Sequence, residues 1–360
     1  MIIRSPAFAY IAPLILDMKK KILNILKYLS FLGLGIFLVW WSLQQIPEEN
    51  WKDFRAAFST AKYWLIVPVF FILSISHILR AIRWKMLMLP MGYNPSLINT
   101  FFAVMIGYLA NLAVPRLGEV LKCTILSKYE NVPADKLVGT IVAERAFDLL
   151  CLIIVFLIAF AIQFEEIGYY GLQLLKRLFI GKTGAFDTTK LVVALAIITV
   201  IVFILKILFK RFSDIRLIKT ARNIFTGIGQ GIVSVKDLKQ KWPFILVSLG
   251  IWAMYLLGTW IGFNGTIGTA GLSLEIAVSA LAFGSIGMIM TPGGIGTYAV
   301  FLAKVLEKNS IPFYIGFANG TLQWFAQFLI VIFVGFISLG LLPWYNKKIR
   351  KHEEAGNNTR

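Results

Sequence analysis

Apolar residues run along this chain in long stretches without period-two alternation: Ile25–Leu43, Tyr63–Leu79, Leu137–Ile162, Leu191–Phe209, Pro243–Phe263 and a last one within Pro312–Leu342. A helix needs about 20 apolar residues to cross a hydrocarbon core, whereas barrel strands would alternate every second position. The pattern predicts an all-α, polytopic membrane protein with about six full spans.

Two further apolar stretches are interrupted. Ile98–Val114 is broken by Gly107, Asn111 and Pro115, and the mixed run from Arg116 to Leu126 follows. Leu274–Met290 ends at Thr291-Pro292-Gly293-Gly294-Ile295-Gly296, and Thr297–Leu306 follows. The breaks resemble one another: Ile106-Gly107 precedes Pro115 and Gly118, and Ile286-Gly287 precedes Pro292 and Gly296. Each reads as a broken or re-entrant element. The charge count has the first enter from the inside and the second from the outside, the pattern of an inverted repeat.

Composition closes off other classes. The chain is 58% hydrophobic and 15% charged, against about a quarter charged for a soluble domain, so a soluble enzyme is excluded. The formal charge of +18 would suggest nucleic acid in a soluble protein. Here it belongs to loops, and no nucleic-acid partner is expected. Lys and Arg gather at 80–85, at 206–241 with nine of them against two acids, and at 347–351. Basic loops stay cytoplasmic, so the expectation is a plasma (inner) membrane protein with both termini inside and a face that attracts anionic lipid. Residues 44–62 and 163–189 balance their charges and suit the outside, the latter with an amphipathic helix at 167–180. Residues 206–241 suit a surface-lying helix.

The organisation expected is an N-terminal segment at 1–20, a transmembrane domain at 21–342 and a basic, then polar, cytoplasmic tail at 343–360, disordered over 352–360. Residues Phe8–Leu16 have some signal-peptide character but no small-residue cleavage site after them. Cys123, Cys151, His77 and His352 lack metal-ligand spacing, so neither metal nor cofactor is expected.

Charges at the centre of a membrane helix cost about 3 kcal/mol each, so those that persist pair or line a wet path. Four groups follow. Past the first break, Arg116, Glu119 and Lys122 fall at i, i+3 and i+6 and would share a helical face beside Asn111 and Pro115. Glu144 and Asp148 lie at i and i+4, with Arg145 between them, inside the third span. Arg80 and Arg83 end the second span, where a guanidinium either forks a phosphate or snorkels to the interface. The turn Thr291, Pro292, Gly293, Gly294 and Gly296 would let backbone approach a ligand, with the following helix start favouring an anion.

Asn111-Leu-Ala-Val-Pro115-Arg116-Leu-Gly118-Glu119, Glu144-Arg145-x-x-Asp148 and Pro292-Gly-Gly-Ile-Gly296 together resemble the lysylphosphatidylglycerol synthase transmembrane region, a flippase-like family. The match covers about residues 20–342. The resemblance implies lipid translocation, whereas lysine transfer to lipid needs a soluble aminoacyl-transferase portion for which the chain has no room. It also implies an acid soon after the second turn, and Thr297-Tyr298-Ala299-Val300 holds none.

The expectation is therefore a translocator of a lipid or lipid-linked headgroup rather than an enzyme. The lipid would be an anionic or aminoacylated phospholipid or a polyprenyl phosphate. Two alternatives stand: a membrane-embedded transferase on a lipid carrier with Glu119 or Asp148 catalytic, and a non-catalytic partner of a lipid-modifying enzyme. Membrane lipids are the expected partners, with a second copy of the chain or a lipid-modifying enzyme left open.

Overall fold

The computed structural model describes residues 32–114, 116–162 and 240–357, together with Leu26, Leu29, Ser30 and Leu238. Pro115, the loop at 163–189, the span Leu191–Phe209, most of the basic stretch before Lys241 and the N-terminal segment lie outside the described residues.

The described residues contain helices and no strand. In chain order the helices are α1 (Leu32–Gln44), α2 (Trp51–Ser59), α3 (Ile66–Met88), α4 (Leu97–Ala113), α5 (Leu117–Glu130) and α6 (Ala134–Ile162). After residue 240 come α7 (Lys241–Phe263), α8 (Leu274–Met290), α9 (Thr297–Lys308) and α10 (Phe313–Asn357). The stretches containing α3, α6, α7 and α10 are long and apolar enough to cross a membrane, so the protein is a polytopic helical membrane protein.

Three expectations change. The second span does not stop at Leu79: α3 runs on to Met88, so Arg80 and Arg83 are interior helical residues. The polar tail is not disordered from residue 352: α10 carries helix through Pro343 to Asn357. After the first break, helix resumes at Leu117, leaving Arg116 as its N-cap with φ +69°. Only Glu119 and Lys122 of the expected three-residue stripe are thus helical.

The chain forms two compact units, Val142–Leu238 and the remainder. Of the first, the described part is the helical stretch 142–162 and Leu238. The larger unit is organised around two hairpins. α4 and α5 run antiparallel: Glu130 at the end of α5 accepts hydrogen bonds from the Ser96 backbone N–H (2.9 Å) and the Asn99 amide (2.5 Å) at the start of α4. α8 and α9 pair the same way, with Ala277 and Ala280 clustered against Leu302 and Leu306. At 1.5 Å per residue the arms of α4 and α5 are about 26 and 21 Å long, short of a bilayer core of about 30 Å.

Helix α10 packs against both hairpins. Its C-terminal part meets the base of the first, where the Asn99 and Asn346 side chains exchange hydrogen bonds of 3.0 and 2.8 Å. Its N-terminal part meets the second. A Cβ at Gly316 would lie 2.9 Å from Ala303 Cα, and one at Gly320 would lie 2.8 Å from Ala299 Cα. The two hairpins therefore enter the unit from opposite ends of α10. Small residues set these approaches because lipid leaves helices no hydrophobic drive to associate, so close packing must supply the energy.

Candidate functional site between the hairpin tips

The first tip is held by its own side chains. Asn111 Oδ1 accepts from the Gly118 backbone N–H at 2.8 Å, satisfying one of the open donors at the start of α5. Arg116 is exposed at this tip, and its left-handed backbone is a conformation that non-glycine residues seldom adopt. Glu119 is half-buried and Lys122 is buried.

The second tip is the turn from Thr291 to Gly296. Gly293, Gly294 and Gly296 all have positive φ. The Thr291 hydroxyl donates to the Ile295 carbonyl (2.9 Å) and lies 2.7 Å from the Thr297 hydroxyl, which donates to the Gly287 carbonyl (2.5 Å). Trp324 Nε1, from α10, donates to the Gly293 carbonyl at 2.7 Å. What comes close to these glycines is protein. A Cβ at Gly296 would lie on the Gly35 carbonyl of α1, and one at Gly293 would lie 3.3 Å from Leu112 Cδ2. The tips of the two hairpins meet through that last approach, Leu112 on α4 against the turn after Pro292.

Cations sit beside the first hairpin. Arg83 is fully buried on α3, which removes it from the snorkelling reading, since a snorkelling head must reach water. Arg80 Nε donates to the Tyr255 hydroxyl at 2.6 Å, and its guanidinium lies 5.6 Å from that ring's centre. Lys122 Nζ lies 4.6 Å over the ring of Trp84, itself fully buried with Nε1 donating to Thr140 Oγ1 at 2.8 Å. A desolvated ammonium over an indole face is among the stronger cation–π arrangements.

The structure thus brings Asn111 to Gly118 and the first tip to the Gly293 turn. Arg80 and Arg83 share α3, and Lys122 reaches the α3 tryptophan. Glu144, Arg145 and Asp148 belong to the smaller unit; Glu144 is buried, Asp148 half-buried and Arg145 exposed. Pro115 lies outside the described residues. Among the described residues no group of His, Cys, Asp and Glu could hold a metal ion.

Sequence reasoning missed an uncharged network around the second hairpin. Asn319 Nδ2 reaches the Gly262 carbonyl and the Thr266 and Thr269 hydroxyls, each at 3.0 Å. Gln323 Nε2 donates to Asn319 Oδ1 at 2.8 Å, and the Tyr298 hydroxyl donates to Gln323 Oε1 at 3.2 Å. The signal was present: Asn319, Gln323 and Gln327 recur every four residues in an apolar helix and share one face.

Sequence comparison decides the family. The lysylphosphatidylglycerol synthase TM region matches residues 28–335, most of the chain and both hairpins. The chain belongs to this family. The chain is also similar to UPF0104 membrane protein MJ1595 of Methanocaldococcus jannaschii, 23% identical over 352 residues, covering 89% of this chain and 96% of that protein. No solved structure matches. Membership in this lysylphosphatidylglycerol synthase TM family fits the helical spans and places the opposed hairpins inside the shared region.

Proposed function

We propose that the protein moves a lipid or lipid-linked headgroup between the leaflets of the plasma (inner) membrane. The observation that carries this reading is the tip-to-tip meeting of two hairpins entering from opposite ends, Leu112 against Gly293. Broken helices that meet near the middle of a membrane protein are how transporters present polar backbone to a substrate while keeping it away from lipid. Opposed hairpins can also open alternately, each giving access from its own side.

In this reading the base of the first hairpin and both termini face the cytoplasm, as the basic loops suggest. Arg80, Arg83 and Lys122 attract an anionic headgroup from that side, with Arg116 and Asn111 at the tip. Glu144 and Asp148 line the polar path, with Arg145 and Glu119 balancing its charge. The turn Thr291–Gly296 bounds the path from the far side.

The test is translocation of headgroup-labelled phospholipid in proteoliposomes containing the purified full chain. Faster loss of the label from one leaflet than in protein-free vesicles is the expected result. A rate equal to that of protein-free vesicles overturns the proposal.

A further inference from the structure

His77 is the middle residue of the stretch Tyr63–Met91, which is long and apolar enough to cross a membrane. Ionisable side chains at that depth are costly and are kept where they serve a path or a proton. His77 is half-buried, and its Nδ1 is shielded and has no hydrogen-bond partner. Buried polar atoms are nearly always bonded, so this one calls for a use.

Its surroundings say what that use is. The imidazole lies against the Tyr108 ring of α4, with ring centres 5.3 Å apart. Tyr108 stands one turn before Asn111 and Leu112, so His77 touches the arm whose tip meets the Gly293 turn. One turn along α3 is the Arg80 guanidinium, held by the Tyr255 hydroxyl. Helices α4, α7 and α10 pack against α3. Between their ends these three helices carry Tyr108 and Tyr255 as titratable side chains and no charge. Further toward the cytoplasm, α3 adds Arg83 and Lys85, and α5 brings Lys122 over Trp84, with Glu119 one turn from it. Helix α6, whose Thr140 meets Trp84, has Asp135 and Lys136 in its first turn and carries Glu144 and Asp148 further on.

We propose that His77 binds a proton when a headgroup passes the first tip, so that headgroup passage and proton movement are coupled. This rests on the translocation reading and adds an energy source to it. The proton adds to the lone pair of a ring nitrogen, forming one N–H bond and breaking none in the protein. A hydronium ion on one side supplies it and becomes water, and water on the other side receives it. Protonated, His77 stands one turn from Arg80, and two positive charges repel strongly in a dry span. An anion beside them removes that repulsion. Proton and anion therefore bind together, and by linkage each strengthens the binding of the other. The proton also offsets the headgroup's negative charge, which lowers the cost of taking that charge across.

Two measurements test this. The chain has 2 histidines, so the full chain with His352→Gln, purified without a histidine tag and carrying isotope-labelled histidine, reports the His77 imidazole alone. In nanodiscs of phosphatidylglycerol its NMR signal should change between about pH 5 and pH 8, and in phosphatidylcholine it should stay that of the neutral ring. A signal that stays fixed in both lipids, or moves alike in both, overturns the proposal whether or not lipid is translocated. The second measurement uses proteoliposomes with an imposed gradient of about one pH unit. Headgroup-labelled phosphatidylglycerol should gather on the alkaline side by about tenfold, as one proton per headgroup requires. His77→Gln keeps a polar side chain and takes up no proton, so it should let the label equilibrate evenly while the protein stays monodisperse. An even distribution with the parental protein while it translocates, or a shift retained in His77→Gln, overturns the proposal. Should the glutamine variant fail to fold, the NMR titration of the histidine decides.

Discussion

Gly107 of α4 and Gly118 of α5 are pressed together so closely that a Cβ on Gly118 would lie on the Gly107 carbonyl oxygen. The second hairpin repeats the arrangement at the same separation in sequence. A Cβ on Gly287 would lie 2.9 Å from the backbone of Tyr298, eleven residues on. Both hairpins close on a helical glycine because neither could bring its arms into backbone contact otherwise.

Gly118→Ala should therefore destabilise the protein by about 1–3 kcal/mol or more, since the backbone it meets cannot yield as a flexible side chain would. Gly139→Ala is the control, because nothing lies within 4 Å of a Cβ there. Thermal denaturation of the detergent-purified variants should show a lowered midpoint for the first and an unchanged or raised one for the second.

The left-handed backbone of Arg116 separates stability from function. Arg116→Gly should hold or raise the melting temperature, because glycine adopts φ +69° without the roughly 1–3 kcal/mol such strain costs. Its translocation rate should fall. Arg116→Lys should also lose most translocation if the planar fork grips phosphate, while Arg116→Ala loses it entirely. Full activity of the lysine variant would make Arg116 a point charge and pass the phosphate contact to Lys122, Arg80 and Arg83.

Asp148→Asn and Glu144→Gln keep shape and remove charge. Each should abolish lipid translocation while membrane accumulation, read by immunoblot, stays at the parental level. Full activity of both variants would remove these carboxylates from the path, and degradation of both would make them structural.

Trp324→Phe deletes the donor to the Gly293 carbonyl and keeps most of the ring's packing. A loss of about 1 kcal/mol is expected, a typical net value for one hydrogen bond. If the second tip must stay shaped for transport, translocation should fall by more than the melting temperature implies.

Reporter fusions at Asn357 and after Gly171 should report opposite sides of the membrane, with Asn357 inside. Matching signals would refute the orientation taken from the basic loops.

What the chain revealed by itself was local. Apolar runs long enough to span, and Gly-Pro breaks at 107–118 and 287–296, are properties of neighbours in sequence, so α3, α4, α7 and α8 and both tips were legible before any contact was known. The family signature is likewise a matter of motif order and spacing. Tertiary structure alone decided what each break meets. Leu112 reaches Gly293, and Asn99 reaches Asn346, across stretches of chain far too long for any periodicity to connect. It also decided that Arg83 is buried rather than wet, because burial depends on which helices crowd α3. The Asn319–Gln323–Tyr298 network escaped for a related reason. Uncharged amides barely disturb the hydropathy of a long apolar run, and they become expensive, and so informative, only when packing removes water and leaves them a few fixed protein partners.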